Sequence, residues 1–218
     1  MSPTIGRSLL PPLYAILDPA QTKGRELHGV AHELLAGGVK ILQLRAKALS
    51  SREFLHLAGE IRIVTRTVNC QLIVNDRVDI ALACDADGVH LGQEDIPLHA
   101  ARKLLGEKII GISTHNLVQA QDAERGGADY IGFGPMFGTT TKQTGYTARG
   151  LAMLGEVRQT VKLPIVAIGG ITEANVDQVW QAGADSAAII SDILSADDIA
   201  TKIRRLLAAH LASRDQRI

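Results

Sequence analysis

The chain has 218 residues, 46% of them apolar, enough for one sizeable core and near the low end for a single-domain α/β barrel. Its 23 Lys plus Arg balance 23 Asp plus Glu, so no bulk field is available to hold nucleic acid or an anionic membrane, and any phosphate must be met locally. Cys70 and Cys84 lie far apart without CxxC spacing, which supports neither a zinc site nor a disulfide framework and leaves them as small buried hydrophobes.

Residues 1–12 carry little pattern and are expected to be a partly disordered extension. They lack the apolar region of a signal peptide, and no run approaches a membrane-spanning length, so a cytoplasmic protein is expected. From Leu13 onward, short apolar runs bounded by Gly, Pro, Asn or Asp recur in order: Leu13–Leu17, Ile41–Leu44, Leu72–Val74, Gly88–Leu91, Ile109–Ile112, Tyr130–Phe133, Ile165–Ile168 and Ala187–Ile190. Between them lie stretches with helical spacing, such as Leu27, Val30, Ala31, Leu34 and Leu35, with charges on the opposite face. Continuous rather than alternating apolar strands imply burial on both faces, as a parallel sheet covered by helices requires. Eight such units in one domain-length chain predict a TIM (β/α)8 barrel over residues 13–212, with a charged tail at 213–218. An open doubly wound sheet is the competing architecture, but eight units fill the chain with no remainder for a second lobe. No repeat is visible beyond the βα unit itself.

A barrel places function at the C-terminal ends of its strands. Taken in order, those ends carry Asp18, then Gln43-Leu44-Arg45-Ala46-Lys47, then Asn75-Asp76-Arg77, then His90 to Asp95, then Ser113-Thr114-His115. They continue with Gly134 to Lys142, Gly169-Gly170 and Ser191-Asp192. Arg45 and Lys47 share one side of a strand end with Gln43, and Lys142 adds a cation from across the barrel. Three cations without a matching ring of acids suggest a diphosphate; the alternative is that each pairs with a surface acid.

Asp76 and Asp95 follow neighbouring strands and could meet at one Mg²⁺, although Asp76 could equally cap the helix predicted at Val78–Ala83. Gly169-Gly170 and Ile190-Ser191 occupy the usual phosphate position of a barrel, a second anion site. His90 reads as a hydrogen-bonded core histidine and His115 as a cap neighbour, and no Ser-His-Asp or Cys-His set can be placed.

At these residues the sequence resembles the thiamine phosphate synthase family. The resemblance rests on Gln43-Leu44-Arg45-x-Lys47, Asn75-Asp76-Arg77, Asp87 to Asp95, Gly111 to His115, Gly132-x-Gly134-Pro135 with Thr139-x-Thr141-Lys142, and Ala167 to Ile171. It implies condensation of an aminopyrimidine methyl diphosphate with a hydroxyethylthiazole phosphate, two small phosphorylated substrates, with no nucleic acid or membrane partner. It further implies that Gln43, Arg45, Lys47, Asn75, Ser113 and Lys142 bind the pyrimidine diphosphate, with Leu44 and Ala46 in the same segment. Arg45, Lys47, Lys142 and Ser113 would act on the departing diphosphate. Asp76 and Asp95 would hold Mg²⁺, and Thr139, Thr140, Thr141, Gly170, Ile190 and Ser191 would hold the thiazole phosphate. The reaction implied is dissociative, so it needs electrostatic stabilisation and positioning more than a strong base.

Ala46, Gly138 and Asp192 depart from the family's usual pattern, and Asp192 would weaken a phosphate site unless it meets a cation or points away. A thiazole phosphate isomerase on the same barrel would not need the cations and the Asp pair. A non-catalytic phosphate-binding barrel would find them superfluous. The sequence leaves oligomeric state open, a homodimer included.

Overall fold

Every residue of the strand Leu13–Leu17 (β1) is buried, and the strands Ile41–Leu44 (β2), Gln71–Asn75 (β3) and Gly88–Leu91 (β4) follow it with nearly unbroken burial. Burial on both faces leaves parallel pairing under a helical cover as the stable solution. Ile109–Thr114 (β5), Tyr130–Phe133 (β6), Ile165–Ile168 (β7) and Ser186–Ile189 (β8) complete a closed barrel in which each strand pairs in parallel with its sequence neighbour and β8 returns to β1. The computed structural model describes residues 10–138 and 147–215, with the side chains of 213–215 excepted.

The covering helices are Leu27–Ala36 (α1), Ser51–Thr67 (α2), Val78–Ala83 (α3), Leu98–Leu105 (α4), Leu117–Arg125 (α5), Gly150–Thr160 (α6), Val176–Gln181 (α7), the short Ser191–Leu194 (α8) and Ile199–Asp215 (α9). Their apolar faces and the outward strand residues form one core layer around the barrel. Tyr14, Ile16, Ile41, Ile73, Tyr130, Val166 and Ala188 pack inside it. The α2 start shows how the sequence fixes a boundary: Ser50 accepts from the Glu53 N–H while Glu53 accepts from the Ser50 N–H at 2.9 Å, a capping box. At the two ends, the Pro12 carbonyl already accepts from Ala187 N and Trp180 Nε1, and α9 continues through Asp215.

The structure also shows a repeat of two βα units that the sequence reading missed. The odd helices α1, α3, α5 and α7 all end alike, and α2 shares the closure, with Cys70 N donating to Thr65 O and Asn69 at φ 52°, so the two-unit period rests on the aspartates that follow the odd helices. The carbonyls of Leu34, Ala81, Ala123 and Val179 accept from the N–H groups of Val39, Ala86, Ala128 and Ala184 five residues on. The residue before each donor, Gly38, Asp85, Gly127 and Gly183, has a positive φ of 103°, 50°, 81° and 109°. This is the Schellman closure of a helix.

The residue after each donor opens the next strand, and in three of the four cases it is an aspartate: Asp87, Asp129 and Asp185. Each binds an arginine of the even helix before it, Arg62, Arg102 or Arg158, at 2.6, 2.7 and 2.8 Å. Each also accepts the backbone N–H of Leu72, Ile110 or Ile165, at 2.7, 2.7 and 2.8 Å. In the first quarter the position is Lys40, whose ammonium donates to Val68 O. The repeat is carried by backbone conformation and one carboxylate, with little identity around it, so apolar periodicity passes over it.

Candidate active site

The C-terminal strand ends open into a cavity lined by Gln43, Arg45, Asn75, His90 and Ser113 on one side and by Gly169, Gly170, Ile190 and Ser191 on the other. Of the strand-end residues expected at one rim, these meet in the cavity, while Lys47 and Asp76 line a neighbouring pocket that shares Asn75 with it. Leu44 is not part of that lining and is buried in the core between barrel and helices, whereas Ala46, also in that core, lines the neighbouring pocket with Lys47, Asn75 and Asp76.

Asp76 follows β3 in a tight turn, with Arg77 N donating to Asn75 O at 2.8 Å across it. Its φ of 63° is unusual for a residue with a side chain, and such strain gathers at functional sites. Arg77 occupies the N-cap position of α3 without a side-chain cap, so Asp76 is free of the capping role left open by its sequence. Its carboxylate instead meets Lys47 Nζ at 2.9 Å. Asp95 reaches the same place from the loop after β4, where Gly92 N donates to it at 2.6 Å. Burial, then the carboxyl group of Asp76 beside it, hold the Asp95 proton more tightly than in an ordinary aspartate, against the opposing pull of the Gly92 N–H.

Arg45 pairs with Asp18, which is itself buried and accepts from Ala20 N at 3.0 Å. Two of the three expected cations thus carry an acid each, as the alternative reading of the sequence held, but both pairs sit on the rim. Arg77 turns outward to Asp79 and Ser51. Lys142 and Thr139, Thr140 and Thr141 lie outside the described residues.

The Gly134–Pro135 peptide is cis, and the segment after it pairs with the end of β7: Met136 N donates to Ile168 O at 2.9 Å and Phe137 N to Gly169 O at 3.0 Å. Gly170 has φ 66°, and a Cβ there would lie 2.6 Å from Gly138 O. Only glycine fits this backbone and this approach. Asp192 meets a cation, Lys202 Nζ at 3.0 Å, and accepts from Glu173 N at 3.0 Å, so its charge is partnered within the protein.

The reading of His90 as hydrogen-bonded is met by Tyr130 and Ser113, and His115 stands before Asn116, the N-cap of α5. Tyr14 and Tyr130 were missed as cavity residues. Their signal was present: both are polar-tipped side chains within otherwise apolar strands.

The family model described as thiamine monophosphate synthase matches residues 13–193. The thiamine-phosphate synthase of Chloroflexus aurantiacus is 47% identical over 196 residues, 90% of this chain and 91% of that protein. That of Syntrophomonas wolfei is 46% identical over 195 residues, 89% of this chain and 93% of its own. Among solved structures, thiamine phosphate pyrophosphorylase from Pyrococcus furiosus superposes with a TM-score of 0.85 at 35% identity, covering 93% of this chain and 96% of that one.

Proposed function

The chain belongs to the thiamine monophosphate synthase family, and from that premise we propose how its rim carries out the family's reaction. The activity is that of a thiamine-phosphate synthase: an aminopyrimidine methyl diphosphate and a hydroxyethylthiazole phosphate give thiamine phosphate and diphosphate. The carbon–oxygen bond of the pyrimidine methylene breaks, its electron pair leaves with the diphosphate, and the thiazole nitrogen supplies the pair for the new carbon–nitrogen bond. The barrier is set by charge growing on the leaving group, so fixed cations and hydrogen-bond donors lower it.

The observation that carries the site assignment is the meeting of Asp76 and Asp95 beside Lys47, in a pocket that shares Asn75 with the cavity. Two facing carboxylates suit a hard divalent cation that takes its remaining oxygens from water and phosphate. Asp76 and Asp95 would hold Mg²⁺, which would neutralise charge on the departing diphosphate. Arg45, Lys47 and Lys142 bind the diphosphate oxygens, while Asn75, Gln43 and Ser113 orient the pyrimidine end. Gly170, Ile190 and Ser191, with Thr139, Thr140 and Thr141, hold the thiazole phosphate opposite. Among the described residues no helix is long and apolar enough to cross a membrane, and the reading places the enzyme in the cytoplasm with its substrates.

The test is thiamine phosphate formation from the two purified substrates with and without Mg²⁺. Metal-dependent product supports both anion sites and the carboxylate pair. Product formed equally well in chelator would remove the metal from the reading.

A further inference from the structure

Five polar side chains from five strands form one connected chain across the barrel interior. Gln43 Nε2 donates to Tyr14 Oη at 2.9 Å. The two tyrosine hydroxyls lie 2.8 Å apart, Tyr130 Oη is 3.0 Å from His90 Nδ1, and His90 Nε2 is 2.9 Å from Ser113 Oγ. Tyr14 and Tyr130 are each about 1% exposed, and burial pushes both phenol pKa values up, so both keep their protons.

A buried hydroxyl proton needs an acceptor. Tyr14 already receives from Gln43, and we assign its own proton to the Tyr130 oxygen 2.8 Å away. On that assignment the Tyr130 proton goes to His90 Nδ1. With Nδ1 accepting, the neutral imidazole carries its hydrogen on Nε2 and donates it to Ser113 Oγ. The Ser113 proton is then left for whatever occupies the cavity that Ser113 lines.

The strands make room for this chain. A Cβ on Gly111 would lie 2.0 Å from the Tyr130 ring, and one on Gly132 would lie 2.9 Å from the His90 ring. The His90 and Tyr130 rings stack at 5.5 Å between centroids with 29° between planes. Two inward glycines in adjacent strands thus admit the two rings that carry the middle of the chain.

We propose that Tyr14, Tyr130 and His90 are positioning residues that transmit the direction of the Gln43 amide to Ser113, holding its hydroxyl as a hydrogen-bond donor to the pyrimidine diphosphate. The proposal rests on the synthase reading only for the identity of the ligand that Ser113 meets. The direction of the chain is a property of the protein alone.

The direction is read first by long-range ¹H–¹⁵N correlation on the ligand-free ¹⁵N-labelled protein, with the His90 signals assigned by their loss in His90→Gln. A hydrogen on Nε2 and a bare Nδ1 are expected. A hydrogen on Nδ1 reverses the chain and overturns the proposal, whether or not the enzyme turns over. Tyr130→Phe keeps the ring and removes the donor. It should give His90 a mixed tautomer and lower kcat roughly tenfold with little change in either KM, because the loss falls on the transition state. Tyr14→Phe leaves Tyr130 its proton with His90 Nδ1 as acceptor, so the tautomer should hold and the loss in kcat should be smaller. If the chain acts as a unit, the double variant costs no more than the worse single one. Multiplying losses, or losses confined to KM, would make the tyrosines ordinary packing residues and end the proposal. A protein with the expected tautomer that forms no thiamine phosphate would instead count against the synthase reading.

Discussion

The carboxylate pair at the rim is costly when no cation lies between its members. Asp95 holds its proton to higher pH than an ordinary aspartate because it is partly buried beside Asp76. A raised folded-state pKa means that the contribution of Asp95 to stability is present in acid and fades as pH rises through that raised value. At neutral pH, Asp95→Asn should therefore leave the metal-free fold at least as stable, while removing the rise in Tm that Mg²⁺ gives the parent. Thermal scans with Mg²⁺ or with chelator check both parts, and a variant that still gains Tm from Mg²⁺ would take Asp95 out of the site. Lys142→Ala should slow turnover by about tenfold, ~1.4 kcal/mol of transition-state stabilisation; an unchanged single-turnover rate would separate Lys142 from the diphosphate. That Arg45, Lys47, Asp76 and Asp95 gather at strand ends was legible in sequence, because charged groups at the tips of apolar strands have few structural uses. What was not legible was how each charge is partnered: that Arg45 rests on buried Asp18 and Lys47 on Asp76 depends on neighbouring strands, which sequence order gives only coarsely. The worry over Asp192 was answered by Lys202, a partner on α9 that no local pattern announces.

Among the elements, the strands were read almost to the residue, since a parallel barrel strand announces itself by continuous burial. The structure lengthens β3 to Gln71–Asn75 and β5 to Ile109–Thr114, and shifts β8 to Ser186–Ile189. The polar ends of β3 and β5 hid their membership because they carry Asn75 and Ser113, which serve the cavity. The joints between elements were the blind spot. Each aspartate that opens β4, β6 or β8 ties an even helix to the strand before it, and none of the three lies near the rim residues in the chain's order of loops. Asp129→Ala would leave both Arg102 and the Ile110 N–H without this partner, and should cost about 2–4 kcal/mol of stability. Urea unfolding measures that loss, and kcat of the folded fraction should stay at the parent value. A fall in kcat with unchanged stability would reverse the division of roles between the two faces.

For the molecule as a whole, closure depends on the seam where β8 meets β1. The last helix, α9, stands where α2, α4 and α6 stand in the other quarters, but the position before β2 is Lys40 rather than an aspartate, and Lys40 donates to Val68 O. Its Arg204 donates to Ala36 O at 3.3 Å instead of joining an ion pair there. Local opening should begin at this quarter. Amide hydrogen exchange should show β1 and β2 less protected than the β3–β4, β5–β6 and β7–β8 pairs, and uniform protection around the barrel would show that packing alone sets the order of opening. The clasps confer something else on the enzyme's history. They keep the barrel shut from the face opposite the cavity, through backbone turns and ion pairs that no rim loop touches. A lineage could therefore try new side chains in the substrate loops, one after another, without each trial endangering the scaffold. In this chain, robustness at one end of the barrel is the source of evolvability at the other.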